Sequence, residues 1–207
     1  ITKNLALELN KLFLEVIIAN GFESSAIKIL KAKKNLRLID GTNYTSKELL
    51  KFVSFNQDIM IQSEDLNLFS NKNFKIVSKR KPTTKQFKDL VFAFNVCRYV
   101  KSNAIVLASN ETTVGIGSGQ PSRLDSCQIA INKMKKFNLM TDNLVAASDA
   151  FFPFVDGIEK LVQSGVRAVV QPSGSIRDKE IISFANETDT CLLYTSPSPL
   201  SLIHISE

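Results

Sequence analysis

The chain has 207 residues and a mass of 23.0 kDa, enough for one ordinary domain or two small ones. Hydrophobic residues make up 44% and charged residues 22%, and mean hydropathy is +0.02, a balance that excludes global disorder and predicts a soluble globular protein. The net charge is +6, but the lysines are dispersed and Trp is absent, so we expect no nucleic-acid partner. No apolar run is long enough for a membrane span.

Apolar spacing in the first third of the chain predicts short helices and strands. Leucines at helical spacing predict a helix over residues 5–15, and the apolar run Val16–Ala19 predicts a strand. Further along, we expect a short helix around residues 26–30 and strands at Leu36–Ile39 and Asp58–Gln62.

The clearest helix signal lies at Thr83. Thr83 follows Pro82 and precedes Gln86 by three residues, which is a capping box at a helix start. Phe87, Leu90 and the apolar residues that follow keep helical spacing, so this stripe is assigned to the core.

From residue 100 onward, predicted strands and helices alternate. The strands are Ala104–Ala108, Thr113–Gly117, Leu144–Ala147 and Arg167–Gln171, and the helices cover residues 122–136, 156–164 and 176–186. This alternation predicts an α/β fold, a layered mixed sheet with flanking helices.

Cysteine and histidine usage argues against several kinds of site. Cys97, Cys127 and Cys191 are far apart and form no CxxC motif, so we expect no zinc site, no disulfide framework and a reducing compartment. The one histidine, His204, is the fourth residue from the end, so the commonest general base is missing from everything before it.

Three loops follow predicted strands and precede predicted helices, where open α/β sheets bind ligands. Gly115–Arg123 is rich in glycine, and these glycines either allow the backbone to approach a ligand closely or have a structural role. The same segment places Arg123 in the first turn of a helix, where a cation is unfavourable unless a negative group lies nearby. Asp149–Phe154 is either the wall of a flat pocket or a hydrophobic plug, with Asp156 a natural N-cap. The third loop is Pro172–Ser175.

These loops and their surroundings resemble a known family, the bifunctional purine-biosynthesis enzymes that combine AICAR transformylase with IMP cyclohydrolase. The motifs that carry the resemblance are Glu15–Ala19, Ala32–Arg37, Val77–Thr83, Lys101–Val106, Gly115–Arg123, Ser148–Phe154 and Gln171–Ser175. They stand in the family's order and spacing, and they cover about residues 1–187.

The resemblance implies formyl transfer from 10-formyltetrahydrofolate to the 5-amino group of AICAR, in a cytoplasmic homodimer with a cytidine-deaminase-like α/β fold. Asn103, Arg123 and Phe151 match positions that bind AICAR. The positions that match the family's folate contacts are Leu124, Asp156, Ser175 and Ile176.

The chain also departs from the family pattern. The family's catalytic Lys–His pair and its cyclohydrolase domain lie upstream of Ile1, which is not an initiator Met, so we expect a fragment with no catalytic residue of its own and no activity alone. Val155 stands where the family has Arg, which alters a nearby ion pair. Residues 1–189 are predicted to be the C-terminal portion of the transformylase domain. Residues 190–207 are interpreted as a foreign tail and an assembly artefact, because CLLYTSPSP and SLIHISE resemble translated sequencing-adaptor sequence, although 191–195 fit a last strand.

Two alternatives to the formyltransferase remain open from the residues alone. One is a non-catalytic α/β module that binds a nucleotide or phosphate through Gly115–Arg123. The other is a fragment without a stable fold, because a missing partner would leave apolar surface exposed.

Overall fold

A computed structural model describes residues 1–44, 50–63, 69–137, 139 and 142–195. The chain divides into two compact units, Ile1–Glu64 and Asp65–Glu207, a division that the sequence analysis did not predict. The described residues contain no helix of the length and apolarity that a membrane crossing requires.

The first unit contains a small helix–strand cluster and a hairpin. Its elements are α1 (Lys3–Leu9), β1 (Val16–Ala19), α2 (Ser24–Leu30), β2 (Arg37–Asp40), β3 (Leu50–Phe55) and β4 (Asp58–Ser63). Strands β1 and β2 pair in parallel, and the helices bury Ala6, Ala26 and Leu30 in a small apolar cluster with Ile17. Strands β3 and β4 form an antiparallel pair whose side chains are largely exposed, among them Phe52.

The second unit is built on a six-stranded mixed sheet in the order β5-β10-β9-β8-β6-β7. Its strands are β5 (Phe74–Ile76), β6 (Ile105–Ser109), β7 (Thr112–Gly117), β8 (Val145–Ser148), β9 (Ala168–Pro172) and β10 (Cys191–Thr195). Its helices are a short 3-10 turn (Asn71–Asn73), α3 (Thr84–Cys97), α4 (Arg123–Lys136), α5 (Val155–Gln163) and α6 (Asp178–Glu187). Strands β8, β9 and β10 are parallel, and β6 runs antiparallel to both of its neighbours, β7 and β8.

Helices cover both faces of this sheet. Helix α3 packs Leu90 and Phe94 on one face, against strand residues that include Val106 and Leu193. Helices α4, α5 and α6 cover the other face, where a second core cluster contains Leu107 and Leu192. Because successive strand residues point to opposite faces, strands covered on both sides read as continuous apolar runs.

The predicted fold class is confirmed, as α/β with a mixed sheet and flanking helices. The predicted capping box is present, since the Thr83 side chain accepts from the Gln86 N–H and the Gln86 side chain accepts from the Thr83 N–H. The first predicted helix was too long: α1 ends at Leu9, and Phe13 is exposed.

The last described residues belong to the sheet. Residues Cys191–Thr195 form β10, which is buried between β5 and β9, so this part of the predicted tail fits a last strand. Residues 196–207, including His204, lie outside the described residues. The boundary at 189/190 stays a prediction.

Candidate functional site

The three candidate loops lie at one edge of the sheet. Strand β7 runs in the same direction as β8 and β9, because β6 is antiparallel to its neighbours. The carboxyl ends of β7, β8 and β9 therefore share an edge, and the loops that enter α4, α5 and α6 line it, together with residues 102–104 at the start of β6. This is the position at which open α/β sheets bind ligands.

Arg123 is the centre of a hydrogen-bonded cluster at this edge. Its Nη1 donates to Asp149 Oδ1 at 2.5 Å and to Ser148 Oγ at 2.8 Å, and its Nη2 donates to Asn103 Oδ1 at 2.7 Å. The Arg123 side chain is only 9% exposed and that of Asp149 18%. The negative partner that a cation in a first helical turn requires is thus a carboxylate of the same chain.

Asn103 holds the loop before α4 in place. Its side-chain Nδ2 donates to the backbone carbonyl oxygens of Gln120 and Pro121 at 2.8 and 3.0 Å. Its backbone carbonyl oxygen accepts from Ser126 Oγ at 2.7 Å. The structure therefore brings the predicted residues Asn103 and Arg123 into direct contact. In this arrangement both amide protons of Asn103 bind backbone carbonyls.

Three members of the cluster, Ser102, Ser148 and Asp149, were missing from the predicted site residues. Asp149 Oδ2 accepts from Ser102 Oγ, and its Oδ1 also accepts from the Ala104 N–H at 3.0 Å. A signal was available for Asp149, because an acidic residue directly after a buried strand stands at the ligand-binding edge of such a sheet.

The phenylalanine loop is a hydrophobic plug at Phe152, whereas its role as a pocket wall stays a prediction. Phe152 is 1% exposed and packs against Gly157, where an added Cβ would lie 2.7 Å from the Phe152 ring. Phe151 and Phe154 are exposed, and the Arg177 guanidinium lies 4.7 Å from the centre of the Phe154 ring. This contact joins the loop after β8 to the loop after β9.

The predicted folate residues lie at the starts of three neighbouring helices. Leu124 is in the first turn of α4, Asp156 in the first turn of α5, and Ser175 and Ile176 come just before α6. Helix α5 packs between α4 and α6 on one face of the sheet. Asp156 and Ile176 are exposed, and Leu124 and Ser175 are half-buried.

One detail near α5 differs from the sequence prediction, and the predicted effect of Val155 on an ion pair stays a prediction. Asp156 is not the N-cap of α5: that position is occupied by Phe154, which makes no side-chain cap bond, while the Asp156 carboxylate accepts from the Gly157 N–H at 2.7 Å. Val155, at the position predicted to alter an ion pair, is half-buried and packs against the core.

Gly115 and Gly117 have a structural role. A Cβ on Gly117 would lie 1.9 Å from the Ser126 carbonyl oxygen, and one on Gly115 would lie 2.2 Å from that of Ala130. The close approach that these glycines permit is therefore to the backbone of α4. The alternative in which they admit a ligand is wrong for these two positions.

The loop before α6 is anchored by a buried tyrosine. Tyr194 Oη donates to Asp178 Oδ1 at 3.1 Å, and Asp178 Oδ2 accepts from the Gly174 N–H at 3.0 Å. Burial, reinforced by the Asp178 carboxylate, raises the pKa of Tyr194 well above its ordinary value. A residue in β10 thus helps to place the loop that carries Ser175.

The described residues offer neither a cluster of metal ligands nor an activated thiol. They contain no group of His, Cys, Asp and Glu that could hold a metal ion. Burial raises the pKa of Cys127 to about 12 and of Cys191 to about 11, and that of Cys97 further still, so all three thiols stay protonated near neutral pH. A pocket of about 350 Å³ at the start of α3 includes none of the predicted site residues.

Comparison with known proteins gives consistent matches. The family model described as "AICARFT/IMPCHase bienzyme" matches residues 1–133. The protein named "Bifunctional purine biosynthesis protein PurH" from Persephonella marina is 43% identical over 189 residues, its namesake from Buchnera aphidicola 46% over 187, and that from Aquifex aeolicus 43% over 190. These alignments cover 89–92% of this chain but only 36–37% of each relative.

Proposed function

This chain belongs to the AICARFT/IMPCHase bienzyme family, and from that premise we propose that it is part of a formyltransferase of purine biosynthesis. The reaction moves a formyl group from 10-formyltetrahydrofolate to the 5-amino group of AICAR and yields FAICAR. The chain spans about 36% of the length of its relatives, and we propose the activity for a longer parent protein that contains this chain. We place that parent in the cytoplasm, as a homodimer with a second, IMP cyclohydrolase activity.

The observation that carries this proposal is the cluster of Arg123 and Asn103 beside an exposed Phe151 at the ligand-binding edge of the sheet. A guanidinium has five N–H donors, and the contacts to Asp149, Ser148 and Asn103 use three of them. Arg123 thus retains donors for a nucleotide, and Phe151 offers a flat apolar surface for its base. These residues are proposed to bind AICAR.

The folate is proposed to bind along the starts of α4, α5 and α6, at Leu124, Asp156, Ser175 and Ile176. Leu124 and Ile176 offer apolar surface, and Asp156 offers a carboxylate that is exposed to solvent. The contact between Arg177 and Phe154 holds two of these loops together, which supports one continuous binding surface.

Proton transfer from the attacking amine is proposed to require a Lys–His pair from the part of the parent that precedes this chain. Loss of a general acid or base typically costs about 10²–10⁴-fold in rate. We therefore expect residues 1–207 alone to be inactive as a formyltransferase.

The alternative of a simple phosphate-binding module is less well supported. Gly115 and Gly117 face the backbone of α4, and the charge of Arg123 is balanced by Asp149. A site built only for a phosphate typically aims free backbone N–H groups or an unpaired cation at it.

The proposal is tested with the full-length protein that contains this chain. FAICAR formation should require both AICAR and 10-formyltetrahydrofolate, and Arg123→Gln should lower kcat/KM for AICAR by about 10²-fold. Arg80→Gln is a matched control, because the ion pair of Arg80 with Asp189 lies away from the site and the Asp189 side chain is 80% exposed. The proposal is wrong if the unsubstituted protein makes no FAICAR, and AICAR binding that is indifferent to folate in such a protein would favour the module.

A further inference from the structure

Asp149 joins three separate segments of the second unit. Its carboxylate accepts from Arg123 at the start of α4, from the Ala104 N–H at the start of β6, and from Ser102 just before it. Its own N–H donates to the Ala104 carbonyl oxygen at 3.3 Å. Asp149 itself directly follows β8, so one side chain connects β6, β8 and α4 at the edge where the site lies.

The orientation of the Arg123 side chain depends on this carboxylate. Both protons of Nη1 are committed, one to Asp149 and one to Ser148, which in turn donates to the Ala150 carbonyl oxygen at 2.6 Å. A guanidinium is planar, so fixing Nη1 also fixes the direction of Nη2 toward Asn103. The plane of the Arg123 guanidinium is thereby fixed by Asp149 and Ser148.

We propose that Asp149 is a positioning residue of the AICAR site, which acts by orienting Arg123 and, through it, Asn103. The inference rests on the proposed function, because it assigns Asp149 a role in the binding that Arg123 performs there. Asp149 accepts from Ser102, Ala104 and Arg123, which fill three of about four acceptor positions, so we assign its contribution to these partners and not to a contact with the substrate.

The first test is Asp149→Asn in the full-length protein. The amide keeps the size of the side chain but removes the charge and replaces one acceptor oxygen with a donor. We expect kcat/KM for AICAR to fall by about 10²-fold, mostly through a higher KM for AICAR, with KM for 10-formyltetrahydrofolate changed by less than about twofold. A merely structural role would lower the amount of folded enzyme, and hence the apparent kcat, at unchanged KM.

Asp89→Asn is the matched control. Asp89 is 1% exposed and accepts from the Asn110 and Glu111 N–H groups at 3.1 and 2.7 Å, in the turn at the far end of β6 and β7. Like Asp149, it is a largely buried carboxylate that accepts hydrogen bonds from backbone N–H groups, but it is remote from the site. This variant should lose thermal stability and keep both KM values.

A double variant shows whether Asp149 acts through Arg123. If it does, Asp149→Asn combined with Arg123→Gln should have the same kcat/KM as Arg123→Gln alone, within about twofold. Full additivity of the two effects would overturn the proposal. If Asp149→Asn does not fold, Asp149→Glu decides, because it keeps the charge but displaces the carboxylate that accepts from Arg123, and an unchanged KM for AICAR would then overturn the proposal.

The outcomes also separate this inference from the function on which it rests. An inactive unsubstituted protein contradicts the proposed function. An active unsubstituted protein whose Asp149→Asn variant keeps its KM for AICAR contradicts only the role of Asp149.

Discussion

Replacing Gly117 with alanine is expected to destabilise the second unit severely, because the new methyl group has no room. Its carbon would lie 1.9 Å from the carbonyl oxygen of Ser126 and 2.6 Å from its carbonyl carbon, both in the backbone of α4. Ordinary contact begins at 3.4 Å, so β7 and α4 must move apart by about 1.5 Å.

The magnitude follows from what that movement opens. Helix α4 contributes Cys127, Ala130, Ile131 and Met134 to the core, all buried. A gap of about 0.5–1 Å already forfeits a quarter to a half of the dispersion energy of each contact, and overpacking a core typically costs about 1–3 kcal/mol. With a rigid backbone as the obstacle, we expect a loss of about 3 kcal/mol or more, out of a total stability of about 5–15 kcal/mol.

The assay is urea unfolding followed by circular dichroism. For a slope of about 2 kcal/mol/M, the midpoint of Gly117→Ala should fall by about 1.5 M. Gly41→Ala serves as the control, because its Cβ would meet nothing closer than 3.5 Å, and it should stay within about 0.5 kcal/mol of the parent. If Gly117→Ala unfolds at the parent's midpoint, the account of why β7 is rich in glycine is wrong.

Two further predictions concern the thiols and a helix cap. Burial raises the pKa of Cys127 to about 12 and of Cys191 to about 11 from an ordinary 9.0, so above pH 9 the unfolded chain loses protons that the folded chain keeps. The free energy of unfolding should therefore fall between about pH 9 and pH 12 and be insensitive to these thiols below pH 8; a rise on passing pH 9 would contradict this. At pH 8, Ellman's reagent should label the thiols of the native chain only slowly and those of the urea-unfolded chain at once. Thr83→Ala should cost about 1 kcal/mol in urea unfolding, because the Gln86 N–H loses its acceptor, whereas Thr83→Ser should restore most of it; equal losses in both variants would exclude the cap as the cause.

Local signals predicted much of the fold. The capping box at Thr83 and Gln86 lies within four residues of sequence, so its geometry is determined locally. The alternation of strands and helices after residue 100 gave the correct layers and placed three loops at one edge. Periodicity alone failed at Phe13, which has helical spacing but is exposed beyond the end of α1.

The details of the site depend on contacts between residues that are distant in sequence. Asp149 and Arg123 are 26 residues apart, and no local pattern pairs them. The glycines of β7 suggested approach of a ligand, whereas their neighbour is the backbone of α4. Asp156 has the side chain of a good N-cap, but α5 begins one residue earlier, so its carboxylate falls inside the first turn.

The same separation in sequence has a consequence for the folding reaction. Ser102 and Asp149 are 47 residues apart, and Arg123 stands between them in the chain, so the cluster closes only after β6, α4 and β8 have all docked. Contacts between distant segments carry a loop-closure cost and form slowly compared with helices and hairpins. The proposed ligand site at this edge therefore forms late in folding. A ligand that binds Arg123 would in turn stabilise the docked arrangement of β6, α4 and β8, and so slow the unfolding of the sheet rather than of one loop.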